Sequence, residues 1–155
     1  MNTVFEKSQP AANQRDCLGN PNPAQDAAET AIPVRILYVD DEPSLRRFGE
    51  LVLLRSGFAV DTAADGEEAW EALRSREYDL LVTDNHMPNL TGLELIGKVG
   101  AAGLRLPIIL ASSIVNTLTK HDLPLFECGA LLAKPFTPNQ LVSAVHDLLR
   151  EKLPA

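Results

Sequence analysis

Residues 34–57, VRILYVDDEPSLRRFGELVLLRSG, decide the fold. VRILYV (34–39) is an apolar run that stops abruptly at Asp40-Asp41-Glu42. A strand with one wet face alternates polar and apolar residues; a strand covered on both faces need not. Pro43 suits a first helical turn, and Gly57 suits the position just past a helix end. Between them Leu45, Phe48, Leu51 and Val52 are predicted to share one helical face. A buried strand feeding an amphipathic helix is the repeating unit of a parallel sheet.

The unit recurs outward from this stretch. FAVDT (58–62) reads as a second strand, and Asp65 can cap a helix over 66–76 with Ala69, Ala72 and Leu73 inward. DLLVT (79–83) is a third strand. TGLELIGKVGAAG (91–103) is a weaker helix, because Gly97 and Gly100 each cost roughly 1 kcal/mol relative to Ala. PIILA (107–111) and LLA (131–133) supply the fourth and fifth strands. Thr137 caps a final helix over 138–152, with Leu141, Val145, Leu148 and Leu149 on one face. Residues 114–128 stay ambiguous, because Pro124 interrupts any long helix. The order predicts an α/β domain of (βα)5 type, an open parallel sheet with helices on both faces.

Composition bounds the function. The 155 residues carry 14 basic and 21 acidic side chains, a formal charge of −7, which argues against direct nucleic-acid binding. Cys17 and Cys128 form no disulfide framework and no CxxC pair, so a reducing, cytoplasmic setting is expected. The chain has no apolar run long enough for a transmembrane helix, and its N-terminus lacks the apolar core of a secretory signal. Residues 1–33 are rich in Pro, Asn and Ala and poor in large apolar groups. They are predicted to form a disordered tail, leaving 34–155 as the domain.

Ligands of open parallel sheets sit at the carboxyl ends of the strands. There the sequence places Asp40-Asp41-Glu42, Asp84, Ser112-Ser113 and Lys134-Pro135. Converging carboxylates repel one another, and a divalent cation such as Mg²⁺ resolves that conflict while keeping positions open for phosphate oxygens. Lys134 adds a positive point charge and Ser112 a hydroxyl. The set suits phosphoryl transfer onto an aspartate, which is already ionised at neutral pH. Each group also has a plainer use. The acids could start a helix, Asp84 could be a turn residue, Ser112 a cap and Lys134 a surface cation. His86, His121 and His146 have no spacing that suits zinc. Trp70 and Cys128 suit packing, and His146 suits a solvated helix flank.

Four motifs, ILYVDDEP (36–43), LLVTDNHMP (80–88) with Gly92, PIILASS (107–113) and AKPF (133–136), together resemble the receiver domain of two-component response regulators. The resemblance covers residues 34–152 and implies a flavodoxin-like fold. It implies that Asp84 is the phosphoacceptor, charged with Mg²⁺ by a histidine kinase or phosphotransfer protein. Asp41 would be the main metal acid, Asp40 its partner and the backbone carbonyl of His86 a further ligand. Ser112 would swing toward the phosphoryl group, and Lys134 would pair with it. The Lys134-Pro135 bond would be cis. Activity would be limited to self-catalysed phosphorylation and dephosphorylation. Output would pass by protein–protein contact, as in stand-alone receivers.

Three features depart from the family pattern. Leu131 stands where an aromatic residue commonly reports phosphorylation. The 113–128 stretch is irregular. His86 lies two residues after the acceptor, where it can affect phosphoryl lifetime. Two other functions compete. One is a receiver-like adaptor that works without phosphorylation. The other is an aspartate-nucleophile phosphatase, which would need an acid where His86 stands.

Overall fold

The computed structural model describes residues 31–114 and 129–152. Residues 1–30 of the expected disordered tail, the ambiguous stretch after Ile114 and Cys128 lie outside the described residues. Five strands are present: β1 (Arg35–Val39), β2 (Ala59–Ala63), β3 (Leu80–Asp84), β4 (Ile108–Ser112) and β5 (Gly129–Ala133). Four helices accompany them among the described residues: α1 (Pro43–Arg55), α2 (Gly66–Ser75), α3 (Gly92–Ala101) and α4 (Pro138–Lys152). All strand pairings are parallel, in the order β2-β1-β3-β4-β5. The order reverses at β1, so a crevice opens beyond the carboxyl ends of β1 and β3.

The apolar run of β1 is explained by two cores. Leu37 and Val39 face the side covered by α2 and α3, where they meet Leu73, Leu81, Leu95 and Leu110. Ile36 and Tyr38 face the other side, where they meet Leu53 of α1 and Leu141, Val145 and Leu148 of α4. Every residue of β3 and β4 is buried. Each strand therefore needs apolar side chains at successive positions, which the alternating pleat sends to opposite cores.

The helix starts are fixed by side-chain acceptors. Asp65 caps α2 by accepting the Glu68 amide at 2.8 Å, as expected. Thr137 and Gln140 cap α4 reciprocally, at 3.2 and 2.8 Å. The C-terminal stop of α1 also holds: Gly57 takes a φ of 90°, a conformation open to glycine at little cost.

The predicted inner face of α1 needs correction. Leu45 is 41% exposed, whereas Gly49 and Leu53 are the buried positions. The cause is Tyr38. Its ring occupies the space over Gly49, and a β-carbon at Gly49 would run into that ring. A bulky strand residue is thus matched to a missing side chain on the helix above it.

This pairing makes a testable prediction. Gly49→Ala is expected to destabilise the domain by roughly 1–3 kcal/mol through overpacking. In a Tyr38→Val background the sign reverses, because Ala gains up to about 1 kcal/mol of helix propensity over Gly. A double-mutant cycle of urea unfolding free energies measures both.

Candidate functional site

The crevice collects charge because three chain segments end there. β1 delivers Asp40 and Asp41, β3 delivers Asp84, and the turn after β5 delivers Lys134. Asp40 and Asp84 are buried, at 1% and 7% exposure, while Asp41 is exposed. Carboxylate oxygens of the three acids all lie within 4.8 Å of one another. At such separations two unit charges repel by roughly 3–4 kcal/mol even at an effective dielectric of 20.

One ammonium answers this repulsion. Lys134 Nζ donates to Asp40 Oδ2 at 2.9 Å and lies 3.2 Å from Asp84 Oδ1. Burial works against the charged lysine. The hydrogen bond and attraction from Asp40, with a smaller contribution from Asp84, outweigh it and hold its pKa above the ordinary value. Lys134 therefore keeps its proton throughout the neutral range.

The remaining acceptors on Asp40 are also used. Its Oδ1 receives the Glu42 amide at 3.0 Å, and its backbone carbonyl receives the Arg46 guanidinium at 2.8 Å. Glu42 turns away to cap α1, accepting the Ser44 and Leu45 amides at 3.1 and 3.0 Å. Those bonds hold its carboxyl below the usual range. The acidic triplet thus divides its labour: Asp40 and Asp41 face the crevice and Glu42 starts the helix.

Ser112 ends β4 fully buried, and its Oγ accepts the Ile114 amide at 3.2 Å. The Lys134 amide bonds back to the Ser112 carbonyl at 3.0 Å. The hydroxyl-bearing and ammonium-bearing residues are therefore tied through the backbone. The Lys134-Pro135 bond is cis. Leu131, in β5, is half-buried and packs against the core under α2 and α3.

Strand β3 leads into a tight loop. The Thr83 hydroxyl donates to the Asp84 carbonyl at 3.0 Å. Gly92 closes the loop from the far end, where a β-carbon would collide with that same carbonyl. Only glycine permits this approach. His86 is exposed in this loop, and Asn85 is buried. His146 lies exposed on α4 with its ring 5.5 Å from that of Phe58, so it belongs to a helix flank as expected.

Sequence reasoning missed two members of this neighbourhood. Arg46 lies in a run of two arginines, with nothing local to separate it from its exposed neighbour Arg47. Asn85 makes its side-chain bond eight residues away, to Leu93, outside any short capping motif. It also missed a cavity of about 260 Å³ beside Lys134, walled by Leu45, Phe48, Ser113, Pro135 and Phe136. The exposed Leu45 noted above forms part of that wall. Phe48 and Phe136 meet across it with ring centroids 6.2 Å apart.

A cation would find hard oxygen donors here, the chemistry that Mg²⁺ and Ca²⁺ prefer. The three clustered carboxylates, one of them open to solvent, fit such an ion.

The comparisons with known proteins agree with this geometry. Residues 36–146 match the response regulator receiver domain family. The chain is 34% identical over 122 residues to the response regulator Rre1 of Synechocystis sp., covering 77% of this chain and 53% of that protein. It is 31% identical over 118 residues to the response regulator ArlR of Staphylococcus aureus, covering 76% of this chain and 53% of that protein. The chain thus spans about half the length of these curated relatives. Among solved structures, the chemotaxis protein CheY4 of Vibrio cholerae superposes with a TM-score of 0.71 at 28% identity, covering 76% of this chain and 99% of that one. The response regulator TrrA of Thermotoga maritima, solved with Mg(2+)-BeF, gives 0.67 at 32% identity, covering 74% and 98%. No helix among the described residues is long and apolar enough to cross a membrane. By its sequence match, its strand order and its clustered acids with a facing lysine, the chain belongs to the response regulator receiver family.

Proposed function

We propose that the chain takes a phosphoryl group onto Asp84 from a histidine kinase or a phosphotransfer protein. The observation that carries this reading is the Lys134 ammonium set between Asp40 and Asp84, at 2.9 and 3.2 Å. It supplies fixed positive charge beside the carboxylate that would attack.

The step balances simply. An Asp84 carboxylate oxygen attacks the phosphorus of a phosphohistidine, and an O–P bond forms as the P–N bond breaks. The imidazole nitrogen leaves with the electron pair. The attacking carboxylate oxygen gives up no proton in this step, so no base takes part. Lys134 offsets charge on the phosphoryl oxygens, a role in which preorganised cations contribute most. Ser112 would turn its hydroxyl from the Ile114 amide to a phosphoryl oxygen. Asp40, Asp41, Asp84 and the His86 carbonyl would hold a Mg²⁺ ion. When bound, it supplies further neutralisation of the transferring group.

Charging Asp84 changes the local charge and shifts the population between conformers that partners distinguish. Output then passes by protein contact. The half-buried Leu131 supports a readout that differs from aromatic rotation, because it has no ring to move into the crevice.

Two experiments test this. Incubation with a small acyl-phosphate donor and Mg²⁺ is expected to add one phosphoryl group by intact mass, with no addition to Asp84→Asn. If Asp84→Asn kept full signalling, the protein would instead be a phosphorylation-independent adaptor. In the same assay, Lys134→Met is expected to slow uptake about 10²-fold. Unchanged uptake in that variant would remove Lys134 from the mechanism.

A further inference from the structure

Helix α3 begins beside the acceptor, and the first amides of any helix need partners outside it. Thr91 Oγ1 takes the Glu94 amide at 3.2 Å, and the Thr91 carbonyl takes Leu95 at 2.9 Å. The two amides ahead of these go to a single residue. The Gly92 amide donates to the Asn85 backbone carbonyl at 3.1 Å, and the Leu93 amide to Asn85 Oδ1 at 3.2 Å. Asn85 in turn donates its own amide to the Ala111 carbonyl of β4 at 3.1 Å. It is 8% exposed. The residue is therefore pinned at three points, to β4 on one side and to the start of α3 on the other.

Its place in the chain gives these bonds a consequence. Asn85 lies between Asp84 and His86, so it fixes the peptides on both sides of itself. The loop it closes, residues 85–91, includes Asn89 in a left-handed conformation with a φ of 67°. Two bonds close this loop, and the one to Leu93, made by the Asn85 side chain, is the one a substitution at Asn85 removes. Thr91 caps the same helix but has no bond to the residue after Asp84.

We infer that Asn85 is a positioning residue for the cation site. By tying the loop to the first turn of α3, it sets the course of the backbone that carries the His86 carbonyl one peptide further on, though its side chain touches neither ion nor phosphoryl group. This rests on the cation site of the proposed function. Partners that orient a metal site from behind its ligands commonly govern affinity by about 10- to 100-fold.

Mg²⁺ titration calorimetry on the full chain, without a phosphodonor, tests the inference. Asn85→Ala is expected to raise the Mg²⁺ Kd about 10-fold. Thr91→Ala, which relaxes the same helix start, is expected to leave Kd within about twofold while lowering the urea midpoint comparably. Equal weakening in both variants would reduce Asn85 to an ordinary cap, and an unchanged Kd in folded Asn85→Ala would overturn its role outright. Those outcomes leave the cation site standing. If the wild-type chain bound no Mg²⁺, the cation site would fall, and this inference with it.

Discussion

The structure depends on the meeting of buried like charges at one end of a sheet. Asp40 and Asp84 are buried side by side, and Asp41 adds a third carboxylate within reach. Removing such groups from water is costly unless each finds a counter-charge or donor. Lys134 supplies the counter-charge, from a residue 94 positions away from Asp40 in sequence. The Glu42 amide and the Arg46 guanidinium supply donors to Asp40. Because the ammonium is shared between two acids, neither pair can relax without disturbing the other. Such a balance responds to an added anionic group, which is the property a phosphorylation switch needs.

The scaffold delivers these groups through ordinary parallel-sheet physics. Parallel strands covered on both faces place all their carboxyl ends, and the starts of the helices that follow, at one edge. That edge therefore gathers unpaired helix amides as well as side-chain charge. Glu42 closes α1, Asp65 closes α2 and Thr137 closes α4, each from the residue just before its helix. Helix α3 differs. Two of its early amides are satisfied from the end of β3, through Asn85. Its start is thus bonded to the residue next to Asp84.

Strand positions and site chemistry were largely legible in the sequence for one reason. A strand buried on both faces leaves a continuous apolar signature, and a charged residue at its end stands out against it. Asp40, Asp84 and Lys134 were visible in that way, and the structure brings them together, with Ser112 at the end of β4. Strand limits shifted by a residue or two, because apolar content does not mark where hydrogen bonding stops. Leu45 misled for a different reason: helical periodicity counts apolar residues but not the volume beneath them. The Tyr38 ring fills the space under Gly49, and the line Leu45, Gly49, Leu53 is buried only at its last two members. Asn85 and Arg46 were not legible, because each acts through a contact made only once the chain has folded. Polar residues of that kind carry no periodicity.

The apolar cavity beside Lys134 follows from the same geometry. With Leu45 turned outward and Phe48 meeting Phe136, α1 and the turn after β5 leave a space open between them. Apolar residues wall it, while Asp40 and Lys134 also line it. The side chains that hold the charges and the side chains that shape this surface thus belong to the same two segments, Asp40–Phe48 and Lys134–Phe136. Lys134 thus belongs both to the charge cluster and to the wall of this cavity.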